Sequence, residues 1–320
     1  MKKLIKILLT CVCLLVVLAA LGITVTIGWR PFFGPRSRAV TSRHYDSTPE
    51  RLARGEYLVR GVLGCLDCHS EHNWSAPGGP LVAGREGAGI VFPAEGLPGR
   101  IIASNITSDR ETGVGGWTDD ELGRAIREGI AKDGRALFPL MPYPNFRRLS
   151  DEDLASVIVF IRSLPAVRNQ LPRSEVAFPV KYLIRTVPQP LTEPVTAPDL
   201  TTPERRGEYL TTLASCGECH TPLVRGMPDQ TRAFAGGQIF KGPWGTATSA
   251  NITPHKTGIA YYNERLFLEA MRTGNVMGRP LNSIMPWDGY RRMNDDDLKA
   301  IFAYLRTLKP VENRVRTTAN

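Results

Sequence analysis

The chain has 320 residues, 42% of them hydrophobic, and a formal net charge of +9. That size and apolar content allow more than one core. Lys2, Lys3, Lys6 and Arg30 supply much of the basic excess, and no dense basic stripe follows them, so the composition excludes nucleic acid as a partner and suits an anionic membrane surface or an acidic protein.

After the basic start, residues 7–29 carry no charge. As a helix this run spans about 34 Å, enough to cross a bilayer and longer than the apolar region of an ordinary signal peptide. We expect an uncleaved anchor; the competing reading is cleavage after Gly22, behind Ala20-Leu21-Gly22. Lipidation at Cys11 is disfavoured, because Thr10 precedes it and little apolar sequence comes before. Lys and Arg flank both ends of the run, so charge bias does not orient it. Residues 31–47, rich in Pro, Gly, Ser and Arg, read as a stalk, and Thr48-Pro49-Glu50 reads as the cap and first turn of a helix.

That helix leads into Cys65-Leu66-Asp67-Cys68-His69, and the same pattern returns as Cys216-Gly217-Glu218-Cys219-His220. A C-x-x-C-H run is the attachment signature of c-type haem: two thiols add to the vinyl groups and the histidine lies under the iron. Two copies predict two covalently bound haem c groups. The other two cysteines, Cys11 and Cys13, lie in the apolar run, so no framework disulfide is available. Haem c is attached outside the cytoplasm, which predicts a bacterial inner (plasma) membrane protein with its haem domains on the periplasmic side.

The surroundings of the two motifs repeat as well. Arg54-Gly55-Glu56-Tyr57-Leu58 returns as Arg206-Gly207-Glu208-Tyr209-Leu210, and Asn105-Ile106-Thr107 as Asn251-Ile252-Thr253. Arg127, Gly129, Gly134, Arg135, Leu137 and Met141 are answered by Arg272, Gly274, Gly278, Arg279, Leu281 and Met285. This predicts duplication of one domain. Thr118 with Glu121 makes a capping box for a middle helix, with Asn263 as its counterpart. Ser150 and Asn294 cap final helices whose apolar residues, Leu154, Val157, Ile158, Ile161 and Leu298, Ile301, Phe302, Leu305, fall on one stripe each. Between the halves, residues 165–203 hold eight prolines, which defeat continuous helix or central strand. Phe178, Tyr182, Leu183 and Ile184 suggest a strap lying over a domain rather than a free linker.

The expected fold is mainly α: tandem duplicated cytochrome c domains behind an N-terminal transmembrane or signal helix. The expected boundaries are 1–30 for that helix, 31–47 stalk, 48–168 first domain, 169–201 Pro-rich linker, 202–313 second domain and 314–320 tail. Met141 in Leu140-Met141-Pro142 and Met285 in Ile284-Met285-Pro286 occupy equivalent places in Pro-stiffened loops before the final helix. They are the candidate second ligands to the irons opposite His69 and His220, and a thioether favours ferrous iron. Met227, Met277, Met271 and Met293 read as packing or surface. Spare His72 and His255, without counterparts, read as surface histidines, and His44 falls in the stalk. Gly79-Pro80-Leu81 is the expected source of a carbonyl for the His69 ring. Arg127, Arg272, Arg135 and Arg279 could hold haem propionates or be solvated charges. Trp117, Tyr262, Tyr143 and Trp287 are expected to wall the haem crevices.

With these motifs the chain resembles bacterial two-domain class I c-type cytochromes, especially the cytochrome c subunits of membrane-bound alcohol and gluconate dehydrogenases. The resemblance runs from about residue 48 to 313 and rests on C-x-x-C-H, the Asn-Ile-Thr loop with the Thr-Gly that follows, and Met-Pro ahead of an acidic-capped helix. It agrees with Met141 and Met285 as ligands. Those subunits usually carry three haem motifs and this chain has two. Quinone reduction and the identity of the enzyme partner therefore do not carry over. Two covalent haems with both axial positions filled leave no open position for a substrate, so the expectation is electron transfer, not catalysis: from a dehydrogenase or a quinol-linked donor to a cytochrome or oxidase. The alternative is a di-haem enzyme, a peroxidase or an oxidase of small sulfur compounds; the latter would want a cysteine ligand, and the exported region has none outside the two motifs.

Overall fold

The computed structural model describes residues 2–315; most of the expected tail, 316–320, lies outside the described residues. Helix α1 (Lys2–Thr26) is apolar, projects from the body with no buried residue, and is long enough to cross a membrane. A short helix α2 (Arg30–Phe33) follows it. Residues 34–47, expected as a stalk, are held against the body through buried acids. Arg38 pairs with Asp120 at 2.7 Å and with Glu128 at 2.8 Å. The Thr41 amide donates to Asp120 and the Tyr45 amide to Asp119, and His44 lies 2.9 Å from Asp119.

Thr48 accepts from the Arg51 amide and opens α3 (Pro49–Tyr57), with proline in the first turn, where its missing N–H costs nothing. The chain continues as a π-helical turn over Leu58–Val62 and enters α4 (Cys65–His69). The middle helix α5 (Asp119–Glu128) starts on a complete Thr118–Glu121 capping box. A short α6 (Tyr143–Phe146) precedes the final helix α7 (Asp151–Ser163), capped by Ser150. After the strap, which contains α8 (Val180–Leu183), the same order recurs: α9 (Pro203–Leu213), α10 (Cys216–His220), α11 (Glu264–Thr273) capped by Asn263, α12 (Trp287–Tyr290) and α13 (Asp295–Thr307) capped by Asn294. Each histidine-bearing helix is therefore preceded by a helix that packs on the last one of its half, α3 on α7 and α9 on α13.

That packing is close because of one residue in each half. A Cβ on Gly55 would overlap the Ser156 carbonyl oxygen, and one on Gly207 the Ala300 carbonyl oxygen. The glycine of the repeated Arg-Gly-Glu-Tyr-Leu segment thus brings two helix backbones together. Leu58, Val59, Val62, Val157 and Ile158 of the first half and Leu213, Leu298 and Ile301 of the second belong to one continuous apolar cluster. The halves also cross over: α12 lies on the π-helical turn of the first half, and α6 on α9.

Sheet is confined to five two-stranded ribbons among the described residues. Strand β1 (Ile90–Val91) pairs with β3 (Ile102–Ala103), and β2 (Gly99–Arg100) with β4 (Glu175–Val176) of the strap. In the second half β5 (Leu223–Val224) pairs with β6 (Met227–Pro228), β7 (Ile239–Gly242) with β8 (Gly245–Thr248) and β9 (Asn275–Val276) with β10 (Arg279–Pro280). The strap runs over the first half, where the Asp151 amide donates to the Val195 carbonyl and the Ile102 amide to Ser174.

Candidate functional site

In α4 the spacing of Cys65 and Cys68 puts both sulfurs on one face of a single helical turn, with His69 directly after; α10 does the same with Cys216, Cys219 and His220. All four are free thiols. Burial pushes Cys65, Cys68 and Cys216 up to about 12 and Cys219 to about 11. Each of these helices begins after a residue in the left-handed region, Gly64 (φ 59°) in the first half and Ser215 (φ 55°) in the second.

The two histidines are held identically. The His69 Nδ1 lies 2.6 Å from the Ser104 carbonyl oxygen and the His220 Nδ1 lies 2.7 Å from that of Ala250. A ring that donates from Nδ1 carries its lone pair on Nε2, the atom that would face a metal. Burial lowers both imidazole pKa values, against a raising contribution from the carbonyl contact; the neutral, ligating form is favoured. The histidine backbone is fixed as well: the Gly89 amide donates to the His69 carbonyl at 2.7 Å and the Gly236 amide to the His220 carbonyl at 2.6 Å.

Ser104 and Ala250 immediately precede the repeated Asn-Ile-Thr, and this is what the repeat builds. Asn105 Oδ1 accepts from the amide and hydroxyl of Thr107, while its Nδ2 donates to Thr112 and to the Val167 carbonyl. Asn251 does the same with Thr253, Thr257 and the Val311 carbonyl. Both asparagines are buried, 3% exposed, so the loop that presents the carbonyl is fully tied. The expectation that Gly79-Pro80-Leu81 supplies this carbonyl is corrected: the Gly79 carbonyl faces His72 Nδ1 at 2.5 Å. His72 is not a surface histidine either. Its Nε2 lies 2.7 Å from the Asp67 carbonyl and its ring stacks on Trp74 at 4.4 Å.

The methionine loops match too. The Tyr143 amide donates to the Met141 carbonyl at 2.8 Å and the Trp287 amide to the Met285 carbonyl at 2.7 Å. Both methionines are partly buried against the shared apolar cluster, as are Cys65 and Cys216. The aromatic residue after each Met-Pro packs on a glycine: the Tyr143 ring lies over Gly129 and the Trp287 ring over Gly274. Trp287 also closes over Gly78 of the other half.

Arg127 and Arg272, weighed as propionate ligands, are committed elsewhere. Arg127 donates to the Leu149 carbonyl at 2.9 Å and pairs with Asp151 at 2.6 Å; Arg272 reaches the Arg291 carbonyl and Asp295 in the same way. They pin the start of each final helix, and so the end of the methionine loop. Arg135 pairs with Asp133 at 3.2 Å on the surface.

Both cysteine-bearing helices, α4 and α10, lie at the junction between the halves. Asn145 of α6 donates to Glu218 at 3.0 Å and to Ser215 at 3.2 Å. On the other side Asp67 faces Gly289 of α12, where a Cβ would stand 2.8 Å from Asp67 Oδ2. Tyr290, buried, donates to the Ala214 carbonyl at 2.8 Å beside α10. Sequence reading missed this junction, because its contacts join residues without neighbours in sequence.

The donor set fits haem c. Two thiols on one helical turn followed by a neutral imidazole are the groups that covalent haem c uses, and a thioether partly buried against the apolar cluster suits a second ligand to its iron.

The cytochrome c family profile matches residues 205–309. Over 284 residues the chain is 30% identical to the cytochrome c subunit of the quinone-dependent alcohol dehydrogenase of Gluconobacter oxydans, covering 83% of this chain and 56% of that one. It is 30% identical over 276 residues to the gluconate 2-dehydrogenase cytochrome c subunit of Pantoea cypripedii, covering 80% of this chain and 59% of the relative. A diheme cytochrome c-type protein of Cereibacter sphaeroides is 29% identical over 290 residues, 85% of this chain and 93% of its own length. The chain thus spans a little over half the length of the two dehydrogenase subunits.

Proposed function

We propose that the chain, which matches the cytochrome c profile over residues 205–309 and is similar to dehydrogenase cytochrome c subunits, is a membrane-tethered di-haem electron carrier built from two copies of one cytochrome c domain, about 48–168 and 202–313. The observation that carries the reading is the matched setting of His69 and His220. In each half the ring nitrogen meets the carbonyl of the residue before an Asn-Ile-Thr, and the histidine carbonyl meets a glycine amide.

Haem c supplies an iron that alternates between ferrous and ferric states. The residues around it do the rest. Cys65 with Cys68, and Cys216 with Cys219, would hold the two groups covalently, which keeps the cofactor in an exported protein. His69 with Met141, and His220 with Met285, would saturate each iron. Saturation leaves no open position for a substrate, so the chain passes electrons and does not catalyse. The placement of both attachment helices at one junction supports transfer between the two centres within the molecule. A dehydrogenase or quinol-linked donor would supply electrons, and a cytochrome or oxidase would receive them. Helix α1 would anchor the chain in the bacterial inner membrane with the haem domains on the periplasmic side.

The test is a haem count on the purified full-length protein by the pyridine haemochrome method, with the ferric spectrum recorded in the far red. Two haems per chain and a sulfur-to-iron band that weakens in Met141→Ala, again in Met285→Ala, and disappears in the double variant are expected. One haem per chain, or carbon monoxide binding by the reduced wild type, would overturn the reading.

A further inference from the structure

Where α1 ends, the body offers a second apolar surface beside it. Trp29, Phe32 and Phe33, which follow α1, are all exposed, Phe33 by 79%. Against them packs the strap: α8 and the 3-10 turn Ile184–Thr186 both contact α2, and Arg185 donates to the Pro31 carbonyl at 2.9 Å. Within this stretch Ile184 and Pro188 point inward, whereas Phe178 (77% exposed), Leu183 and Val187 point out. A Pro-rich connector between two domains has no reason of its own to display large apolar side chains to water.

The cations of the segment fit the same picture. Lys181 Nζ and Arg185 Cζ lie 5.1 Å and 5.0 Å from the Tyr182 ring centroid. Aromatic rings with basic side chains along them are the composition of a membrane–water boundary. There rings sit at headgroup depth, while Lys and Arg keep their charge at the anionic lipid surface.

We propose that residues 178–187, seated on α2, form a second membrane contact that rests in the headgroup layer beside the exit of α1. The occupant is lipid, because the patch is continuous with the end of the membrane-length helix. The proposal rests on the anchoring of α1 stated above. Together with the Arg38 pairing, such a contact would fix how the haem domains stand on the membrane, where a single helix on a free stalk would let them swing.

The experiment uses the full-length holoprotein in vesicles of phosphatidylethanolamine and phosphatidylglycerol. These are doped with a phospholipid bearing a photoreactive diazirine either high on the acyl chain or at its end, and adducts are mapped by mass spectrometry. The expected result is adducts from both lipids on α1, adducts from the shallow probe alone on 178–187, and none on the peptide holding Met277, which is 75% exposed. Phe178→Asp should lose the 178–187 adducts and keep those on α1. Adducts on α1 alone would overturn the second contact and leave the anchor standing. Adducts on neither would remove the anchor and the proposal together. A protein–protein cross-link through 178–187 in place of lipid would overturn it in favour of a partner chain.

Discussion

The Tyr209 hydroxyl donates to Asp153 Oδ2 at 2.9 Å, joining the second half to the first helix turn of α7. The relation is reciprocal, since Tyr57 of the first half donates to Asp297 at the start of α13. Each aspartate is also paired within its own half, Asp153 with Arg54 at 2.8 Å and Asp297 with Arg206. Two tyrosines of the repeated Arg-Gly-Glu-Tyr-Leu segment are thus exchanged between halves, and they tie the two capped helix starts across the junction.

A hydrogen bond to a buried charged group contributes about 1.5–3 kcal/mol. Tyr209→Phe is expected to lower stability by about that much, leaving Asp153 with Arg54 as its remaining side-chain partner across the chain. Tyr57→Phe should behave alike. Urea unfolding of the holoprotein checks this: a fall in midpoint without a change in slope is expected, and an unchanged midpoint in both variants would show that the exchange does not hold the halves together.

The glycines two residues before these tyrosines carry a second prediction. Gly55→Ala and Gly207→Ala each force a methyl group into a facing carbonyl oxygen. Helices α3 and α7, or α9 and α13, must then separate, at about 1–3 kcal/mol as for other overpacked contacts. Thermal unfolding should show the loss. A neutral Gly→Ala result would mean that the helices do not cross this closely.

Much of this architecture was legible in the sequence, and what escaped it has a common cause. Ser150, Asn294, Thr118 and Asn263 cap the helices expected of them, because a cap is a local bargain between a side chain and amides three residues on. The Asn-Ile-Thr repeat was visible, but its role was not: the group that meets the histidine is the carbonyl of the residue before it, and a carbonyl has no side-chain signature. Arg127 and Arg272 were seen as a pair while their partners, Asp151 and Asp295, looked like ordinary first-turn acids. Residues 34–47 read as free because Asp119 and Asp120, which hold them, also look like acids completing a helix N-terminus; in the structure each is only 3% exposed.

With one haem in each half, as proposed, the Asn-Ile-Thr loops give a test that would separate the two irons. Asn105→Ala removes the bonds to Thr107, Thr112 and the Val167 carbonyl, at about 1–3 kcal/mol for the partners left buried. The Ser104 carbonyl then no longer holds the His69 ring firmly, and an imidazole that loses such an acceptor is a weaker donor to iron. Ferric iron is stabilised less, so the reduction potential of the first-half centre should rise while the other stays put. Asn251→Ala should raise the second centre instead. A potentiometric titration followed optically resolves the two; equal shifts at both centres would contradict the assignment of one loop to each histidine.

The acid clasp on residues 34–47 predicts a pH dependence. At Asp120 burial alone would raise the carboxyl, but the hydrogen bonds from Arg38 and from the Thr41 amide and hydroxyl, with the Arg38 charge, outweigh it and lower the group to about 2. Its folded value lies below the ordinary 3.8, so the clasp stabilises the folded chain fully above about pH 4 and loses that contribution as the pH falls toward 2. Hydrogen exchange at the Thr41 amide, which donates to Asp120, should show protection falling through that window after correction for intrinsic rates; the Tyr45 amide, which donates to Asp119, reports on the segment beside it. Asp120→Asn keeps an acceptor but has nothing to titrate, and should flatten the Thr41 profile at a lower level of protection. Arg38→Gln leaves Asp120 and Glu128 buried without their cation, which costs about 3–5 kcal/mol for a broken buried pair. In that variant the amides should exchange fast even at neutral pH. Unchanged protection in Arg38→Gln would mean that the segment is held by something other than its buried acids.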